Sequence, residues 1–222
     1  MTVIQGKFRG GKRLDTSYVW YVSYGSNLME HRFLCYILGD QPEGSSQKER
    51  GCRNPAMPLK NRKAVLPFPL YFARERTKWG EGGVAFIGHE KNDKYKTYGR
   101  KYLVTVEQFL DVTAQENSCD EIEADLEEVI EKGYIHFGSG WYSRMVYLGE
   151  EEGYPMVTFT CNLDLHEQNL NPPPATYLTT IAKGLSQIGL TCDEAVKYFA
   201  ETPGISGRMK EDEIESIICS HF

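Results

Sequence analysis

The apolar run Tyr18-Val19-Trp20-Tyr21-Val22-Ser23 ends in Tyr24-Gly25-Ser26-Asn27, and a helical pattern from Leu28 to Leu38 follows at once. Aromatic and β-branched residues in such a run favour a strand. A strand that breaks through a glycine into a helix turns several backbone N–H groups toward one point, and a carboxylate or a developing oxyanion is favoured there. The chain is thereby restricted to folds in which a strand feeds directly into a helix, and the turn becomes a candidate binding site. Asn27 and Glu30 have capping-box spacing, which predicts Asn27 as the N-cap. Gly39 has the place of a C-terminal stop.

The remaining pattern is one of strands with helices inserted between them. Residues 39–63 are polar and broken by Pro42, Gly44, Pro55 and Pro58, which predicts mostly loop. Ala64 to Ala73 carries Pro67 and Pro69, as an irregular or edge strand does. Gly83 to Gly88 and Tyr98 to Val104 read as strands. Thr105 with Gln108 predicts a capped helix, and Ser118 with Glu121 predicts a second one that Gly133 closes. Trp141–Gly149 and Tyr154–Cys161 read as a hairpin around Glu150–Gly153. Beyond Pro172-Pro173-Pro174, helices are expected over Thr176–Ile188, Thr191–Ala200 and Lys210–Ile218. Runs of strands without strict β-α alternation predict an α+β fold with a mixed, largely antiparallel, barrel-like sheet of about six strands flanked by helices. The expected organisation is a flexible lead-in at 1–16, a domain at 17–170, and a C-terminal helical extension at 171–222 packed on it.

Composition removes several classes of function. The 222 residues are 41% hydrophobic, enough to bury a core. A net charge of -6 with interspersed signs argues against nucleic acid as a partner. The local basic cluster of Arg50, Arg53, Lys60, Arg62 and Lys63 reads as a solvated loop. No apolar run is long enough for a membrane helix, and the first residues lack an apolar signal core. Six scattered cysteines without a C-x-x-C pair read as reduced, cytoplasmic thiols, and five dispersed histidines offer no metal site. No cofactor is expected. The oligomeric state is not readable from the sequence, and a homodimer is left open.

One residue of the helix after Thr105 stands out. At 100° per residue, Val106, Phe109, Leu110, Val112 and Thr113 share a broad apolar face, and Glu116 falls inside it. Glu107 and Asp111 lie off that stripe. A carboxylate on a core face loses water, which raises its pKa toward neutrality and suits it to general acid–base work. The structural alternative is a Glu that pairs with a buried Arg or reaches solvent from the last turn. Ser26 sits where a nucleophile elbow would put a serine, but G-x-S-x-G is absent and a cap or ligand role fits better. Trp79 and Trp141 are candidate pocket walls. Gly80, Gly82 and Gly83 lack phosphate-loop spacing. His31 lies near the turn, and a lone histidine reads as structural or surface.

These residues together resemble a known family. Tyr21-Val22-Ser23-Tyr24-Gly25-Ser26-Asn27-Leu28 resembles the Y-G-S-N-L signature of γ-glutamylcyclotransferase-like proteins. Trp79-Gly80 with Gly82-Gly83-Val84-Ala85 is similar to that family's W-G-x-G-V-A stretch. Glu116, in Ala114-Gln115-Glu116-Asn117, stands where the family carries its catalytic glutamate, although Asn117 replaces the glycine often found next. Tyr142-Ser143-Arg144-Met145-Val146 resembles the strand that follows. The resemblance covers roughly residues 18–161 and implies the γ-glutamylcyclotransferase-like fold. It also implies a reaction in which a γ-glutamyl amide closes on itself, releasing 5-oxoproline and a free amine without metal or cofactor. Glu116 would be the acid–base, and Tyr24, Gly25, Ser26, Asn27 and Leu28 would bind the small-molecule substrate. A non-catalytic binding or regulatory module that keeps the fold is the alternative.

Overall fold

The computed structural model describes residues 8, 9, 12–43 and 47–222. The lead-in expected at 1–16 lies largely outside them. In chain order the strands are β1 (Phe8–Arg9), β2 (Lys12–Arg13), β3 (Tyr18–Ser23), β4 (Lys60–Leu66), β5 (Leu70–Ala73), β6 (Arg76–Thr77), β7 (Gly80–Glu81), β8 (Val84–Ile87), β9 (Thr97–Thr105), β10 (Tyr134–His136), β11 (Arg144–Glu151) and β12 (Tyr154–Thr160). The helices are α1 (Glu30–Leu38), α2 (Val106–Glu116), α3 (Leu126–Lys132), α4 (Ala175–Gln187), α5 (Cys192–Ala200) and α6 (Glu211–Ile218).

The fold is α+β. Its main sheet has six strands in the order β10-β11-β12-β3-β9-β4, with β10 and β4 at its two edges. The sheet is therefore open, which corrects the barrel-like expectation: closure would need the edge strands to bond each other. β10 with β11 and β11 with β12 are antiparallel, whereas β12 and β3 run parallel with Met156 opposite Trp20. The hairpin expected at Glu150–Gly153 forms, its turn made by Glu152 and Gly153 at φ 54 and 83. Positive φ at both central residues matches the twist of the flanking strands.

The chain divides into two compact units. One gathers the described residues up to Val22 with Leu34–Asn61 and Lys101–Asn162; the other gathers Ser23–Phe33, Arg62–Arg100 and Leu163–Phe222. In the first unit Tyr21, Phe109 and Phe159 form an aromatic core, Tyr21 stacking on Phe159 at 5.3 Å. Thr158 Oγ1 donates to Val22 O at 2.7 Å, which satisfies a buried hydroxyl in the parallel pair. In the second unit the antiparallel pair β5–β8 is buried along its whole length. The helices α4, α5 and α6 belong to this unit, and Thr179 of α4 donates to Ile217 O of α6.

Several local expectations need correction. Helix α3 starts at Leu126, capped by Asp125 whose side chain accepts from Glu127 N–H at 2.8 Å, and Ser118 at φ 54 is a turn residue. A residue in the left-handed region lacks the extended backbone that an N-cap needs, so the pattern at Ser118 starts no helix. The cysteines are not all thiols: Cys192 and Cys219 form a disulfide across a separation of 27 residues, joining the start of α5 to the end of α6. Nothing in the spacing of six scattered cysteines could show a pairing that depends on how two helices pack. No helix among the described residues is long and apolar enough to cross a membrane.

Candidate functional site

The turn lies in the second unit and is almost wholly enclosed. After Ser23 the chain enters a single 3₁₀ turn, Ser26–Leu28, with Gly25 at its N-cap position. Leu28 N–H donates to Gly25 O at 3.0 Å and Met29 N–H to Ser26 O at 3.1 Å. The amides that open such a turn have no partner within it. Tyr24, Ser26, Asn27 and Leu28 are buried and only Gly25 is half-buried. Asn27 is not the cap of α1, which begins at Glu30, so the cap position is Met29. Asn27 is buried inside the 3₁₀ turn instead, and Glu30 N–H donates to Gln187 Oε1 of α4 at 3.0 Å. Ser23 Oγ, at the strand end, is buried and has no hydrogen-bond partner among the described residues.

Aromatic side chains surround the turn in the same unit. Tyr177 of α4 takes a hydrogen bond from Ala85 N–H on its hydroxyl at 3.3 Å. Its ring meets Trp79 at 5.0 Å and Phe72 edge-on at 6.5 Å. The buried Arg32 guanidinium lies 5.9 Å from the Trp79 ring centroid, within cation–π range. The W-G stretch and the turn therefore belong to one packed cluster, joined through a helix whose part sequence reasoning left open.

Glu116 lies in the first unit, as the last residue of α2. Thr105 caps this helix in a full capping box with Gln108, as expected. The buried carboxylate of α2 is Asp111, not Glu116, which is half-buried. Gln108, Asp111 and Gln115, at i, i+3 and i+7, form a polar face that holds the segment 50–56. Gln108 Nε2 donates to Asn54 O and Ala56 O at 3.0 and 2.7 Å. Asp111 accepts from Arg53, and Gln115 Oε1 accepts from Gly51 N–H at 3.0 Å. The loop covers that face, so α2 is buried there as well as along its apolar stripe, where Phe109, Val112 and Thr113 are buried as expected. The basic cluster is exposed, as expected, but Lys60, Arg62 and Lys63 lie on β4 and not in a loop, and Arg50 pairs with Asp120, Arg53 with Asp111 and Glu121, and Lys60 with Glu152.

Asn117, directly after Glu116, is the C-cap of α2. Its Nδ2 donates to Thr113 O and Tyr142 O, and its Oδ1 accepts from Tyr142 N–H at 3.0 Å. A glycine there could not make this clamp, which fixes the end of α2 to the 138–142 segment. The same unit has an open cavity of about 630 Å³, lined in part by Leu110, Glu123, Asp125, His136 and Gly138. Glu116 does not line it. Among the described residues, no group of three or more His, Cys, Asp or Glu is placed to hold a metal ion.

No protein-family profile matches the chain. It is 36% identical over 198 residues to histone deacetylase 5 of Arabidopsis thaliana, a match covering 81% of this chain and 30% of that protein. The chain thus spans about a third of the length of this curated relative. Among solved structures, a gamma-glutamyl cyclotransferase matches with 18% identity and a TM-score of 0.47, covering 90% of this chain and 98% of that one. An uncharacterized protein from Homo sapiens matches with 18% identity and a TM-score of 0.48, over the same shares.

Proposed function

We propose that the protein is a γ-glutamylcyclotransferase acting on a γ-glutamyl amino acid or amine. The observation that carries this reading is the ordered motif set: Tyr24-Gly25-Ser26-Asn27-Leu28 at a strand-to-3₁₀ turn, the Trp79-Gly80 stretch packed in the same unit, and Glu116 at the helix position matching the family's acid–base. The substrate needs no external nucleophile. Glu116 accepts a proton from the α-ammonium, and the freed amine attacks the γ-carbonyl carbon. The amides that open the turn hold the charge gathered on the carbonyl oxygen. The attacking nitrogen gives up its second proton, the carbon–nitrogen bond to the leaving amine breaks as Glu116 returns the first proton to that nitrogen, and the amine takes up the second as it leaves, giving 5-oxoproline and the free ammonium with no water consumed. Holding the γ-glutamyl chain folded brings nucleophile and carbonyl together, a proximity effect.

The test is release of 5-oxoproline from a panel of γ-glutamyl amino acids and amines. Turnover by the unsubstituted chain, lost in Glu116→Gln with the fold unchanged by circular dichroism, is the expected result. Retained turnover in that variant would sink the assignment of Glu116. The second reading is a non-catalytic binding or regulatory module. It is favoured by the similarity to one part of a longer protein whose name describes another activity. Silence across the whole panel, with γ-glutamyl ligands still binding, would favour it.

A further inference from the structure

We infer that Tyr177 is a positioning residue of the turn site, setting through its hydroxyl the path of the backbone at Gly25. This rests on the γ-glutamyl reading for the identity of the ligand, but the contact itself does not. A Cβ built on Gly25 would stand 2.9 Å from Tyr177 Oη and 3.5 Å from Ala85 Cβ. The hydroxyl therefore occupies the space that any other residue at position 25 would need. It cannot drift, because Ala85 N–H donates to it at 3.3 Å and because Trp79 and Phe72 hold the ring on two sides.

Helix α4 meets the turn twice more along the same face. Gly184 lies so close that a Cβ there would be 2.5 Å from the Leu28 carbonyl carbon and from Met29 N. Gln187 accepts from Glu30 N–H. Residues 7 and 10 positions beyond Tyr177 fall within about 80° of it around a helix. One face of α4 thus supports the segment Gly25–Glu30 at its start, middle and end. Only the first of these contacts adjoins the half-buried glycine, the point of the turn open to a ligand. Tyr177 touches no reacting atom in this scheme. It sets the direction of the amides that do.

The experiment is a double-substitution cycle of Gly25→Ala and Tyr177→Phe, read by two measurements. The first is hydrogen exchange at the Ser26, Asn27 and Leu28 amides. The second is steady-state release of 5-oxoproline from the best γ-glutamyl substrate. Tyr177→Phe keeps the ring and loses one hydrogen bond, so KM is expected to rise about five- to tenfold, with a smaller change in kcat. Gly25→Ala is expected to lose more, since its methyl meets the hydroxyl. The double variant is expected to regain part of that loss, because removing Oη vacates the space that the methyl needs. Exchange at the three amides should speed up in each single variant and slow again in the double. Additive effects in both measurements, or unchanged exchange in Tyr177→Phe, would overturn the inference. If the unsubstituted chain turns over no γ-glutamyl compound, the functional reading fails, and the exchange cycle still decides whether Tyr177 sets the turn.

Discussion

Arg53 closes on Asp111 twice over: its Nη2 lies 2.9 Å from Oδ1, and its own backbone N–H donates to Oδ2, also at 2.9 Å. The two contacts differ in worth. The Arg53 side chain is about half exposed, so water screens the ion pair, and exposed pairs typically contribute less than about 1 kcal/mol. The backbone bond ends on a buried carboxylate, and an unsatisfied buried group costs about 1–3 kcal/mol. Asp111→Ala is therefore expected to destabilise more than Arg53→Gln in urea unfolding. Equal losses would mean that the ion pair, not the backbone bond, anchors the loop.

Asn117 invites a second substitution. Its three hydrogen bonds tie Thr113 to Tyr142, so Asn117→Gly should release the 138–142 segment from the end of α2. At about 1 kcal/mol per net hydrogen bond the loss should be roughly 2–3 kcal/mol. Limited proteolysis should then cut near Gly138–Gly140 before anywhere else in this unit. Cleavage unchanged from the parent would show that other contacts hold the segment.

How much of this was legible in the sequence follows from the range of each interaction. The Thr105–Gln108 cap, the Gly133 stop and the Glu152–Gly153 turn are local, so a few residues determine them. The strands β3, β9 and β12 were readable because aromatic and β-branched runs are dense there. The burial of Asp111 was not, since it depends on a loop more than 50 residues away in sequence. Asn27 as a helix cap failed for a related reason: Gln187, from a helix far along the chain, supplies the acceptor instead. The turn itself was legible as a motif, whereas the role of Tyr177 needed the packing of α4 against it. The Cys192–Cys219 bond is likewise tertiary in origin.

Cys52 gives a dependence on pH with a definite sign. Burial, and next the negative charge of Asp111, push its thiol up to about 12. Burial also raises the Tyr198 phenol. A free thiol ionises near pH 8.5, so above that pH the unfolded chain loses a proton that the folded chain keeps. The stability that Cys52 contributes is full below about pH 8.5 and is lost as the pH rises toward 12. The slope for one group is at most about 1.4 kcal/mol per pH unit. Urea midpoints measured from pH 8 to 10.5 should fall, and Cys52→Ala should flatten the curve. An identical slope in that variant would remove Cys52 as the source.

Gly184 sets two effects against each other. Alanine in mid-helix is favoured over glycine by about 1 kcal/mol, because glycine has more backbone freedom to lose. Against this, a Cβ at 184 would stand 2.4 Å from Leu28 Cβ and 2.5 Å from the Leu28 and Met29 backbone, too close for any real contact. Leu28 is fully buried, and the opposing atoms include main chain, so neither side can swing away cheaply. Overpacking of this kind costs about 1–3 kcal/mol and sometimes more. The clash is therefore expected to win, and Gly184→Ala should lower Tm by several degrees, at roughly 2–4 °C per kcal/mol for a chain of this size. Exchange at the Leu28 and Met29 amides should rise with it. A gain in Tm would mean that propensity prevails, that the turn yields to α4 without strain, and that the helix does not hold Tyr24–Leu28 in place.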